Sequence, residues 1–166
     1  MRHLISVLLA NEAGALSRVA GLFSARGYNI ESLTVAATQD PTVSRLTLLT
    51  YGSDEVIKQI NKQLKKLVDV IDLANFSEDA HIEREVLLLK LDVPRESTAA
   101  AADEIARFHA QLLDDTPASF TLEFTGTGSE VDEFVAEISQ FGRIVELVRT
   151  GVGAIGCGDH SLTHYG

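Results

Sequence analysis

The chain has 166 residues, 45% hydrophobic and 23% charged, a globular balance in which this length can bury a core without disulfides or metal. Its net charge of −10 argues against nucleic acid and anionic membrane surfaces as partners, because both require clustered cations. The single cysteine, Cys157, excludes an intrachain disulfide; with no apolar run near the ~18–20 residues of a membrane span and no signal-peptide pattern, a cytoplasmic soluble protein is expected.

Residues 3–10 alternate, with Ile5, Val7 and Leu9 on one face and Leu4, Ser6 and Leu8 on the other, as a strand does. Asn11-Glu12-Ala13-Gly14 is a turn into a helix that carries Leu16, Val19, Ala20 and Phe23 on one stripe. Gly27 stands where a helix C′ residue belongs. A second strand is expected over 29–38, a turn at Gln39-Asp40-Pro41-Thr42, and a third strand over 43–51. Ser53 is a good N-cap for a second helix, with Val56, Ile57, Ile60 and Leu64 facing inward. Residues 68–76 read as the fourth strand.

Beyond a polar linker at 78–85 the order repeats. A nearly continuous apolar strand spans 86–93, and Ser97 can cap an Ala-rich helix that runs to about residue 109. A short strand at 111–114 and an alternating one at 120–125 follow. Thr127 or Ser129 caps a helix with Val131, Phe134, Val135, Ile138 and Phe141 on one face; Gly142 ends it, and residues 143–149 form the last strand. A βαββαβ order repeated at roughly 80 residues predicts an α+β protein of two ferredoxin-like units, each a four-stranded antiparallel sheet with two helices on one face. These are residues 1–77 and 86–150. Residues 151–166 hold five of the twelve glycines and read as a loose tail. The charge divides similarly: residues 1–80 hold 8 Lys/Arg against 9 Asp/Glu, and residues 81–166 hold 6 against 15.

No local signature places a catalytic nucleophile. Gly126-Thr127-Gly128 lacks the further glycine and lysine of a phosphate cradle and reads as a hairpin-to-helix loop. Cys157, His160 and His164 have a C-x2-H-x3-H spacing, but lack a fourth ligand and a rigid frame, so no metal site is expected. Asp114-Asp115 reads as a strand end entering a turn, since neighbours on a strand point to opposite faces. The informative segment is the first turn. A helix N-terminus presents unpaired N–H groups and suits a carboxylate. Gly14 admits close approach to the backbone, and Asn11 offers an amide that can accept from an ammonium or donate to a carboxylate. Asn29 opens the second strand. The plainer alternative is that Asn11 caps the helix, Gly14 relieves crowding and Gly27 is a C-cap.

Several runs carry a resemblance. Residues 1–76 look like an ACT domain, the small-molecule-sensing module of amino-acid metabolism. Asn11-Glu12-Ala13-Gly14-Ala15-Leu16-Ser17-Arg18-Val19, Arg26-Gly27-Tyr28-Asn29-Ile30-Glu31-Ser32-Leu33 and Lys62-Gln63-Leu64-Lys65-Lys66-Leu67-Val68-Asp69-Val70 resemble the small regulatory subunits of acetolactate synthase. Arg84-Glu85-Val86-Leu87-Leu88-Leu89-Lys90 and Val148-Arg149-Thr150-Gly151 resemble the second half of that family. Past that point the chain reads Ile155-Gly156-Cys157-Gly158 where the family closes on Arg-Gly.

The resemblance implies a non-catalytic subunit that binds a large catalytic subunit, raises its activity and confers feedback inhibition by valine or another branched-chain amino acid. Thiamine diphosphate, Mg²⁺ and FAD are then expected in the large subunit, which condenses pyruvate with a second 2-oxo acid, and no cofactor in this chain. It also implies a homodimer of paired ACT domains with effector at the seam, on Asn11, Gly14, Ala15, Asn29 and Ile30. An acidic residue at Gly14 is expected to block the effector while the helix tolerates it. Alternatives are an amino-acid sensor for a different partner, or a stand-alone ferredoxin-like enzyme or metal-binding protein.

Overall fold

The computed structural model describes residues 1–77, 79–116, 119–159 and 161–162. They fall into two compact units, Met1–Glu83 with the segment from Val152, and Arg84–Gly151.

In the first unit the elements are β1 (Arg2–Ala10), α1 (Ala15–Ala25), β2 (Ser32–Ala37), β3 (Val43–Tyr51), α2 (Asp54–Leu64) and β4 (Val70–Asn75). The sheet order is β2-β3-β1-β4, with every neighbour antiparallel. Ile5, Val7, Leu9, Leu46 and Leu48 pack against Val19, Leu22 and Phe23 of α1 and Ile57, Ile60 and Leu64 of α2. Ser53 accepts from the Val56 N–H and so caps α2. Gly27 has φ 67 and ends α1 as its composition predicted. The buried stripe of α1 is Ala15, Val19, Leu22 and Phe23, whereas the expected members Leu16 and Ala20 are exposed. Both sets satisfy a 3.6-residue period, and the sheet selects the one that faces it. The second and fourth strands are shorter than expected: residues 29–31 precede β2, and Val68 is 91% exposed ahead of β4.

The second unit contains most of β5 (His81–Asp92), a single 3₁₀ turn (Arg95–Ser97), α3 (Thr98–Arg107), β6 (Gln111–Thr116), β7 (Ser119–Gly126), α4 (Gly128–Ile138) and β8 (Arg143–Arg149). The order β6-β7-β5-β8 repeats the first sheet. Leu87, Leu89 and Leu91 alternate inward with Phe120, Leu122 and Phe124 under Val131, Phe134 and Ile138. The expected fold class is therefore observed in both units. Ser97 makes no side-chain cap, because the 3₁₀ turn leads directly into α3. Thr127, rather than Ser129, caps α4 in a capping box with Glu130. Thr127→Ala removes the acceptor for the Glu130 N–H and is expected to cost about 1 kcal/mol, read as a lower urea midpoint at unchanged m-value.

Two expectations about the chain's margins are corrected. The linker is strand from residue 81 onward, since β5 begins at His81. The tail is not loose at its start. Val152 and Ala154 are buried with Leu4 and Phe76, and β9 (Gly153–Gly156) pairs with β5, whose first residues, 81–83, belong to the first unit. This cover explains why β1 is buried on both faces, Leu4 and Leu8 included. Glycine content suggested freedom, but the alternating small apolar residues between those glycines supply the packing.

Candidate functional site

The turn after β1 is tied to the β2–β3 hairpin. The Asn11 N–H donates to the Thr42 carbonyl at 2.7 Å, and its Nδ2 donates to the Pro41 carbonyl at 2.8 Å. Asn11 is therefore a loop tether and not a helix cap; its Oδ1 is the atom left to accept from a ligand. The N-cap position of α1 is Gly14, at φ 90, with no side-chain cap and no acidic residue in the first turn. Among the described residues the N–H groups of Leu16 and Ser17 have no backbone acceptor. Two of the other helices start differently: α2 and α4 have both a hydroxyl cap and first-turn acids, whereas α3, like α1, has neither. The start of α1 thus retains its partial positive charge and unpaired donors.

A pocket of about 280 Å³ opens beside this terminus. Asn11 and Ala15 line it, with Leu9, Leu16, Val35 and Ala37 as its apolar walls. Over Gly14 lies Arg18, a residue that sequence reasoning did not single out. A Cβ at Gly14 would sit 2.8 Å from Arg18 Nη1. Arg18 Nε and Nη2 donate to the two oxygens of Asp69 at 2.5 and 2.7 Å, and the Asp69 side chain is only 7% exposed. The bidentate bond to Arg18 holds the Asp69 carboxyl below its ordinary value near 3.8 and raises Arg18. These residues lie 51 apart in sequence, and no local pattern pairs them.

The sign of that shift gives a pH dependence. A depressed carboxyl contributes stability above its unfolded value, and the contribution is lost as pH falls through the folded one. The parent's unfolding temperature is expected to drop as pH falls below about 4 partly through Asp69. Arg18→Met should lower the unfolding temperature at pH 7 and flatten that acid limb; thermal melts across pH 2–7 check it.

Asn29 and Ile30 lie elsewhere. The Asn29 carbonyl accepts from Thr50 Oγ1 at 2.6 Å, and Thr50 pairs with His3 at the beginning of β1. Asn11 follows Ala10 at the end of β1, so seven residues of strand, about 23 Å, separate the two levels. Asn29 is exposed, and its Nδ2 donates to Glu31 at 2.9 Å. One chain therefore brings Asn11, Gly14 and Ala15 together and leaves Asn29 and Ile30 at the opposite end of the sheet.

The remaining sequence candidates divide. Gly126-Thr127-Gly128 is the hairpin-to-helix loop with its capping box. Asp114 and Asp115 sit inside β6, opposite Thr121 and Phe120, not at its end. His160 and His164 lie outside the described residues, among which no cluster of three metal-ligating side chains occurs. Among the same residues no helix is long and apolar enough to cross a membrane.

Residues 5–72 match the family model for an AHAS small subunit-like ACT domain, and residues 84–158 match that for the small subunit of acetolactate synthase. The chain belongs to the acetolactate synthase small-subunit family. It is 48% identical to the acetolactate synthase isozyme 3 small subunit of Escherichia coli, over 96% of this chain and 98% of that one. It is 46% identical to the acetolactate synthase small subunit of Haemophilus influenzae, over 98% and 99%. The crystal structure of the small subunit from Thermotoga maritima superposes with a TM-score of 0.87 at 32% identity, covering 96% of this chain and 99% of that one. As a small subunit the chain is the regulatory and not the catalytic component, and a catalytic large subunit is its implied partner.

Proposed function

We propose that the first unit binds valine, or another branched-chain amino acid, and transmits its presence to the large catalytic subunit as feedback inhibition, while the chain without effector activates that subunit. The observation that carries this reading is the uncapped start of α1 beside a pocket that Asn11 and Ala15 line. A carboxylate on the Leu16 and Ser17 N–H groups finds unpaired donors and the helix dipole, and the Asn11 amide oxygen can receive an ammonium. An aliphatic side chain then lies against Leu9, Leu16 and Val35.

The other half of the site comes from a second copy. β2 is an edge strand, and Val35, Ala36 and Ala37 on it are exposed. An edge of this kind needs a partner or a cover. A twofold axis through a β2–β2 pair forces the strands antiparallel. The start of one β2, preceded by Asn29 and Ile30, then meets the end of the other, where Ala36 and Ala37 border the partner's α1 terminus. The homodimer so formed has two equivalent composite sites. Thiamine diphosphate, Mg²⁺ and FAD belong in this reading to the large subunit, and the complex serves branched-chain amino-acid synthesis in the cytoplasm.

Valine titrated against the reconstituted large and small subunits tests the reading. Inhibition should appear only with this chain present, and Asn29→Ala should shift it by about 5–150-fold, the worth of one to two hydrogen bonds to a charged group. Inhibition of equal strength without this chain overturns the proposal.

A further inference from the structure

The face of the first sheet turned away from α1 and α2 holds a second, larger cavity of about 420 Å³. Apolar side chains, among them Leu8 on β1, Val43 on β3 and Ala154 from the returning C-terminal segment, share its lining with Thr34, Gln39, Asp40 and Thr47. One cation stands among them. Arg45, on β3, pairs with Leu8 and with Ala36 across the sheet, so its side chain rises between theirs. Arg45 Nη2 donates to the Ala154 carbonyl at 2.8 Å. Its Nε is buried and has no hydrogen-bond partner.

This arrangement is unusual in a chain with 24 acidic residues. The other arginines that contact the interior are paired: Arg18 with Asp69, and Arg149 with Glu85 and Asp132. Arg45 has no carboxylate partner among the described residues, and burial alone pulls its guanidinium below the ordinary value. A half-buried guanidinium with an unsatisfied donor loses hydration that a protein anion normally replaces. A cavity of this size, with apolar walls and a few polar groups among which Arg45 is the one cation of the described lining, has the composition of a small-molecule site.

We propose that this cavity is a second ligand site, separate from the one at the start of α1, and that it takes a small organic monocarboxylate whose carboxylate meets the Arg45 guanidinium and whose apolar body lies against Leu8, Val43 and Ala154. The charge count selects the class. A phosphate dianion would meet only one cation, with Asp40 also in the lining. A neutral alcohol would leave the Nε donor facing a weaker acceptor. Because Arg45 also holds the Ala154 carbonyl, occupancy bears directly on the segment that covers this face.

The probe is 4-methylpentanoate, titrated into the full chain by calorimetry, with 4-methylpentan-1-ol and inorganic phosphate as comparators. Saturable binding of the carboxylate is expected, with the alcohol and phosphate each at least about tenfold weaker, as loss of a charge-assisted bond requires. Arg45→Met should abolish it, Arg45→Lys should weaken it, and Asn29→Ala should leave it unchanged. Methyl cross-peaks between the probe and Leu8 and Val43 in nuclear magnetic resonance read the same contact in the parent chain, whatever the variants do to folding. Undiminished binding in Arg45→Met, equal binding of the alcohol, or competition by valine with loss in Asn29→Ala each overturns the proposal. The last of these places the carboxylate at the α1 terminus instead.

Discussion

Mixed dimers of one Gly14→Asp chain and one Asn29→Ala chain are expected to recover, at one site in two, the parent valine sensitivity that Gly14→Asp loses and Asn29→Ala weakens as homodimers. At the proposed site Gly14→Asp sets a carboxylate where the effector's would lie, and Asn29→Ala removes an amide from the other side. If each site combines the α1 terminus of one subunit with Asn29 of its partner, one site of the mixed dimer carries both changes and the other carries neither. Every mixed dimer then has one intact site of its two. A site confined to one chain predicts no recovery, because each chain then has one damaged site. Co-expression with two affinity tags, isolation of the doubly tagged dimer, and a valine titration with the large subunit decide between them. The structure revises the expected tolerance of Gly14→Asp. At φ 90 an L-residue is strained by about 1–2 kcal/mol, and its Cβ displaces Arg18 Nη1. The variant should therefore melt below the parent, and activation of the large subunit is the control for a native fold.

Phe134→Ala is expected to have the largest effect on stability. Phe134 is fully buried, stacked on Phe124 at 4.8 Å and edge-on to Phe108 at 5.2 Å. Truncation loses the ring's burial and leaves a cavity among Leu87, Leu122 and Ile138 that the surrounding β5 and β7 ladders cannot close. The expected loss is about 3–5 kcal/mol. Since each kcal/mol moves the midpoint of a unit this small by about 4–8 °C, the transition should fall by more than about 10 °C. Scanning calorimetry of parent and variant measures it. Phe134→Leu, which keeps most of the volume, should recover more than half of the loss.

The regular elements were legible because their signals are local. The strands expected over 43–51 and 143–149 match β3 and β8 to the residue. Hydroxyl caps at Ser53 and Thr127 mark the starts of α2 and α4 through bonds that span three residues. Gly14 and Gly27 both adopt the positive φ that the turn and the helix end require. Where two registers met the same periodicity, as in α1, sequence could not choose, because the choice depends on which side the sheet lies.

The sequence by itself determined the α+β class, the repeated βαββαβ order, the Ser53 cap and the turn at 11–14 that leads into α1. Each of these is decided by neighbours a few residues apart, whose propensities and hydrogen bonds act before the chain has folded. The tertiary structure alone decided that Asn29 stands a sheet's length from Gly14, that Arg18 reaches Asp69, that Arg45 holds the Ala154 carbonyl 109 residues away, and that the glycine-rich end packs as β9. Those pairings depend on which strands lie side by side. That is settled by burial of the whole core, a sum over many distant residues that no short window of sequence contains.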